Sequence, residues 1–115
     1  MPLRIETQTI KSLERGLIVS PYGPLRASTA EEFREQVGAI LETGDVQHLV
    51  IDFGRVDSID SSTAGFLLNV HDRLGDGHLA LAELTPSVRI VIDSIGLMTF
   101  FTVCNTIDEA INEIR

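Results

Sequence analysis

Basic residues are scarce in this sequence: nine Lys and Arg stand against seventeen Asp and Glu, a formal charge of −8 over 115 residues. Affinity for a phosphate backbone comes mainly from Lys and Arg displacing counterions, so this balance argues against nucleic acid as a partner. It suits instead a partner with a basic face. Cysteine is nearly absent too. The single Cys104 excludes an internal disulfide and a cysteine-rich metal site, and its apolar context, FFTVC, reads as a buried structural thiol. No apolar run approaches the roughly 20 residues needed to cross a bilayer. The opening residues MPLRIETQTIK also lack the apolar core of a secretory signal. The expected setting is cytoplasmic, without membrane insertion. There is no Gly-rich phosphate loop, no histidine cluster at metal-ligand spacing and no G-x-S-x-G elbow. Neither cofactor, metal nor enzymatic activity is expected. Repeats, low-complexity tracts and Pro/Gly/Ser linkers are missing as well, which makes 1–115 a single domain.

What is present is enough apolar residue, 43% of the chain, to build one core. Leu3–Ile10 alternates apolar and polar residues in the manner of a half-buried strand, and Gly16–Tyr22 is a second strand joined to it through the turn SLERG. Ser28–Glu31 has the S-x-x-E form of a capping box, which satisfies two free amides at a helix start. Phe33, Val37, Ile40 and Leu41 form that helix's apolar stripe, and Gly44 ends it. Val46–Phe53 carries the continuous apolar run of a strand buried on both faces. GRVDSI connects it to a helix from Asp60 or Ser61 to Leu74, closed by the turn Gly75–Gly77. His78–Leu84 is another buried strand. Thr85 and Pro86 supply an N-cap and a proline at the first helical position of a helix reaching Ile95, with Gly96 at its end. Phe100–Cys104 is a last short strand, and Thr106 with Glu109 forms a second capping box opening the terminal helix. The order β-β-α-β-α-β-α-β-α predicts an α/β sandwich: a mostly parallel sheet of about five strands with the first at an edge, and about four helices.

The junction DSIDSSTAGFLL, Asp57–Leu68, raises the functional question. Asp60, Ser61, Ser62 and Thr63 place four short polar residues in a row where a strand hands over to a helix. Capping by one Asp or Ser, favoured by the free amides and the helix dipole, explains one or two of them but not four. A catalytic serine needs a base within reach. His71 stands ten residues beyond Ser61, about 15 Å along one helix, so it cannot serve. It reads instead as a partly buried histidine on the apolar stripe of Ala64, Leu67, Leu68 and Leu74. His48 lies within a strand and His78 follows the far turn, which leaves a small hydrolase built on Ser61 without support. A third reading is a phosphate acceptor. A phosphate on Ser61 adds roughly −1.5 to −2 charges, tolerated by the helix start yet crowded by Asp60 and projected at whatever binds there. Ser62 and Thr63 are rival acceptors.

With the strand VQHLVIDF, the loop GRVDSI and the helix start IDSSTAGFLL in place, the chain resembles a STAS domain, in particular the stand-alone bacterial anti-sigma factor antagonists. Their hallmark is an apolar strand, a short loop and D-S-[ST]-G-[LT]-G followed by hydrophobic residues. Asp60, Ser61 and Ser62 match it, Gly65 matches the second glycine, and Phe66–Leu68 match the apolar run. PLRASTAEEFREQV and SVRIVIDSIGLMTFFTV resemble further stretches of the family, so the likeness covers essentially the whole chain. It implies that Ser61 is phosphorylated by an ATP-dependent serine kinase that is also the anti-sigma factor, and dephosphorylated by a serine phosphatase. The unphosphorylated form would bind the kinase and free the sigma factor. The sequence departs from the family at Thr63, where a glycine is usual, and at Arg26, where an acidic residue is usual and where a guanidinium could pair with Asp60 or with a phosphate. The expected partner surface is therefore Asp57, Ser58, Asp60, Ser62, Thr63, Phe66 and Arg26. A weak homodimer is a further expectation. The alternative is a STAS scaffold, or a cytosolic subunit of a lipid-transport complex, with no phosphorylation cycle.

Overall fold

The computed structural model describes residues 2–115. Its elements run β1 (Ile5–Thr9), β2 (Gly16–Pro21), α1 (Ser28–Glu42), β3 (His48–Asp52), α2 (Ser61–Leu74), β4 (His78–Ala82), α3 (Pro86–Ser94), β5 (Thr102–Cys104) and α4 (Ile107–Ile114). The five strands form one sheet in chain order. β1 pairs antiparallel with β2, and the other three pairings are parallel, with Leu49 opposite Leu17 on one side and Leu79 on the other. The α/β sandwich with its mixed five-stranded sheet and four helices is the architecture that the alternating pattern predicts.

The inner strands read as continuous apolar runs because helices cover both faces. Side chains alternate across a strand, so Leu49 and Ile51 face one core while Val50 faces another. The larger core joins Leu49, Ile51, Leu79 and Leu81 of the sheet to Phe33 and Val37 of α1, Leu67 and Val70 of α2, and Val88 and Ile92 of α3. The smaller core packs Val50, Ala80, Ala82 and Cys104 under Ala110 and Ile114 of α4. Cys104 is buried there, as its apolar context predicts, and burial pushes its thiol pKa up.

Several local expectations are corrected. β1 is an exposed edge strand whose only partly buried member is Ile5, and burial falls on the flanking Leu3 and Ile10. β4 stops at Ala82 because Glu83 takes φ 61°, outside the extended region. β5 is shorter than Phe100–Cys104: the amides of Phe100 and Phe101 turn back to the Leu97 carbonyl. The capping box at Ser28 does not form. Ser28 is already inside α1, the N-cap is Ala27 at φ 54°, and no side chain caps it. At α4 half of the second box forms: the Glu109 N–H donates to Thr106 Oγ1, but the Glu109 carboxylate accepts from the N–H of Asn105, one residue before the cap, in place of that of Thr106. Thr85 takes its N-cap position at α3 but turns its hydroxyl to the Val56 carbonyl at 2.8 Å, tying the β4–α3 loop to the β3–α2 loop. Gly77 is required in the turn before β4, where an added Cβ would lie 1.8 Å from the Gln47 carbonyl oxygen.

Candidate functional site

The site begins where β3 ends. Asp52 is only 4% exposed, yet its carboxylate is satisfied: Oδ1 accepts from the Gly54 N–H at 2.9 Å and Oδ2 from the Ser20 hydroxyl at 3.0 Å. The Arg55 guanidinium adds a 3.7 Å contact. These bonds fix where the chain leaves the sheet. In the loop that follows, Val56 and Ile59 are buried, Asp57 is exposed and Ser58 is half-buried. A single parallel bridge joins Ile59 to Leu25, the Leu25 N–H donates to the Ser58 carbonyl at 2.9 Å, and the Asp60 N–H donates back to the Leu25 carbonyl at 3.3 Å. The loop is thus welded to the segment that leads into α1.

Asp60 is the N-cap of α2, with extended backbone at φ −102° and ψ 172°. Its Oδ1 accepts from the Thr63 N–H at 2.9 Å and from the Ser62 hydroxyl at 2.7 Å. Its Oδ2 accepts from the Ala27 N–H at 3.4 Å, so one carboxylate serves the starts of two helices. Burial pushes the carboxyl pKa up, but the bonds donated by Ser62, Thr63 and Ala27 outweigh it and hold the pKa down at about 2.

The three hydroxyls of the cluster then part company. Ser61 opens the helix, is exposed, and its hydroxyl has no hydrogen-bond partner among the described residues. Ser62 is exposed but engaged: it donates to Asp60 and its oxygen accepts from Arg34 Nη1 of α1 at 3.3 Å. Thr63 is fully buried, its hydroxyl 3.1 Å from the Leu25 carbonyl and 3.0 Å from Asp60 Oδ1. Thr63 therefore leaves both the set of rival acceptors and the expected partner surface, a correction imposed by packing.

Two further expectations change. Arg26 is exposed and its guanidinium makes no ion pair among the described residues; only its backbone is engaged, the N–H and the carbonyl both by Thr29 Oγ1. The guanidinium at the cluster belongs to Arg34, which the sequence reading missed. Its only signal was a cation within a helix that packs against α2, and chain order does not give the rotation of one helix against another. Phe66 is half-buried, its ring set edge-on to Phe33 of α1 at 5.8 Å, so much of it belongs to the interface between α1 and α2. Of the expected partner surface, Asp57 and Ser62 are exposed and Ser58 and Asp60 half-buried, all on the loop and first turn that carry Ser61, with Gly65 exposed one turn on.

No histidine approaches Ser61. His48 and His78 face each other at the opposite end of β3 and β4, with Nδ1 to Nδ1 at 3.1 Å. His71 is not on the apolar stripe: it is exposed on the last turns of α2 and lies edge-on to Phe100 at 4.9 Å. Chemically, the arrangement offers one free primary hydroxyl at a helix start, set beside acidic groups and with no imidazole to activate it.

Comparison with known proteins places this geometry. The STAS domain family model matches residues 4–110. A protein of Bordetella bronchiseptica named as an anti-sigma factor antagonist, BtrV, is 31% identical over 104 residues, 89% of each chain. The crystal structure of an anti-sigma factor antagonist from Mycobacterium paratuberculosis superposes with a TM-score of 0.87 at 23% identity, covering 98% of this chain and 94% of that one. The Bacillus cell fate determinant SpoIIAA in its phosphorylated form gives 0.70 at 24% identity, covering 96% and 100%. The two structures show the shared fold. With the family model spanning nearly the whole chain and the Bordetella relative alongside it, this chain belongs to the STAS domain family.

Proposed function

We propose that this domain is a phosphorylation-gated anti-sigma factor antagonist. Unphosphorylated, it docks through Asp57, Ser58, Asp60, Ser61, Ser62 and the exposed flank of α2 onto a serine kinase that is also the anti-sigma factor, and so frees the sigma factor. Arg26, exposed ahead of α1, and the outer rim of Phe66 border that surface. ATP-dependent transfer to Ser61 ends the interaction, and a serine phosphatase restores it. The observation that carries the reading is the Ser61 hydroxyl: exposed, without a partner among the described residues, and at the first position of α2. The name of the Bordetella relative as an anti-sigma factor antagonist, and a family fold that SpoIIAA keeps in a phosphorylated form, support it further.

The physics of the switch is local. A phosphate adds roughly −1.5 to −2 charges. The start of α2 can accept an anion without unfolding, because the amides of Ser61 and Ser62, ahead of the capped Thr63 amide, have no partner among the described residues and the helix dipole favours negative charge. The same anion, added beside Asp57 and Asp60, presents a concentrated negative charge to whatever docks there. Binding is lost while the fold is kept. The test is to incubate the protein with its serine kinase and ATP and to map the product by tandem mass spectrometry. One phosphate on Ser61, with loss of kinase binding, is expected. No incorporation, or a phosphate found on Ser62 in place of Ser61, overturns the reading.

A further inference from the structure

Two exposed serines stand side by side at the start of α2, yet only one is chemically free. Phosphoryl transfer needs a serine oxygen with a lone pair available for in-line attack on the γ-phosphorus and a proton that the kinase's base can take. Ser62 is constrained on both counts, with one of its two lone pairs and its proton already engaged. Its proton is directed at Asp60 Oδ1 at 2.7 Å, and its oxygen accepts from Arg34 Nη1 at 3.3 Å. Both bonds involve an ionised partner; the 2.7 Å bond to Asp60 has the short length of a charge-assisted bond, and the 3.3 Å bond from Arg34 is the longer of the two. Ser61, its neighbour, carries no such bond among the described residues.

We infer that Arg34 and Asp60 together set the site of phosphorylation, by locking the Ser62 hydroxyl and leaving Ser61 as the acceptor. The inference rests on the proposed function, since it names the residues that direct the modification of that same site. In the productive step the Ser61 oxygen attacks the γ-phosphorus of ATP and forms the new O–P bond. The bond to the β,γ-bridging oxygen breaks, ADP leaves with the electron pair, and the serine proton passes to the kinase's base. For Ser62 the same step first requires breaking its bonds to Arg34 and Asp60. Arg34 is a positioning residue here: it acts through Ser62, from a different helix, and is available for substitution because it is not part of the core.

The lock predicts a ratio, which is independent of how well each variant docks. Wild type, Arg34→Ala and Arg34→Lys are each treated with the serine kinase and ATP, sampled at early times, and phosphoSer62 and phosphoSer61 are quantified in the same molecule by tandem mass spectrometry. Loss of one charge-assisted bond corresponds to about a tenfold change in rate. Arg34→Ala is expected to raise the phosphoSer62 to phosphoSer61 ratio by about that factor, and Arg34→Lys, which keeps a cationic donor, to leave it near the wild-type value. A purely structural role for Arg34 moves the thermal midpoint and leaves the ratio alone. An unchanged ratio in Arg34→Ala, with Ser61 labelled in the wild type, overturns the lock and leaves the proposed function standing. No phosphate on wild-type Ser61 overturns the proposed function itself.

Discussion

Helices α1 and α2 begin side by side at the same end of the sheet, and they begin by different means. α2 starts on Asp60, whose carboxylate binds the amide of Thr63, the hydroxyl of Ser62 and the amide of Ala27. α1 starts on Ala27, at φ 54° and ψ −121°, with no side-chain cap. Ser28 and Thr29 are as suitable by chemistry as Asp60 is. Thr29 instead accepts from the Arg26 N–H and sets its hydroxyl near the carbonyls of Pro24 and Arg26. Glu32 spends its carboxylate on the Leu3 N–H at 2.9 Å. The difference teaches that a capping residue is a local offer, and tertiary neighbours decide whether it is taken. Here the functional helix is self-capped, and its neighbour leans on it.

That contrast can be broken by substitution. Asp60→Ala should have the largest effect, because it strips a bond from both helix starts: a loss of about 2 kcal/mol in urea unfolding, the upper end for a lost N-cap. A loss no greater than that of Ser28→Ala would erase the asymmetry. The same carboxylate should leave a mark in acid. Its folded pKa of about 2 lies below the ordinary 3.8, so its contribution is complete above pH 3.8 and fades as the pH falls toward 2. The stability gap between wild type and Asp60→Asn should therefore be widest above pH 4 and close toward pH 2. A gap that stays constant across that range contradicts the assignment. Thr63→Val comes next, at about 1 kcal/mol, since it deletes a buried hydroxyl bond while the Leu25 carbonyl keeps the Asp60 N–H. Ser28→Ala should fall within about 0.5 kcal/mol, as expected of a surface residue that caps nothing.

The sequence carried the architecture well, because the fold rests on periodicity. Val46–Phe53 and His78–Leu84 are apolar on successive residues, and only strands covered on both faces need that. The start of α2 at Asp60–Ser61 was legible for a similar reason: Asp60 is placed to cap the helix whose first residue is Ser61, and it does. What failed was whatever depends on which side of a helix meets its neighbour. His71 sits at the spacing of the apolar stripe, yet it lies on the exposed side against Phe100, because α2 is rotated to bury Thr63, Ala64, Leu67, Val70 and Leu74. The same rotation hides Thr63 at a position that reads as part of an exposed polar cluster. Arg26 stands out in the sequence only as a departure from the family pattern, a cation that could pair with Asp60 or with a phosphate. Arg34, two turns further along α1, is the one that packing brings to Ser62.

The central claim is that an anion on Ser61 abolishes docking without disturbing its host. The most direct measurement compares the unmodified protein with protein phosphorylated stoichiometrically on Ser61, titrating each into the kinase and recording the amide spectrum of each alone. The account predicts at least about a tenfold loss of affinity, equivalent to about 1.4 kcal/mol, with spectral changes confined to the Asp57–Phe66 region. Equal affinity for the two forms, or a spectrum that shifts throughout the core, contradicts it.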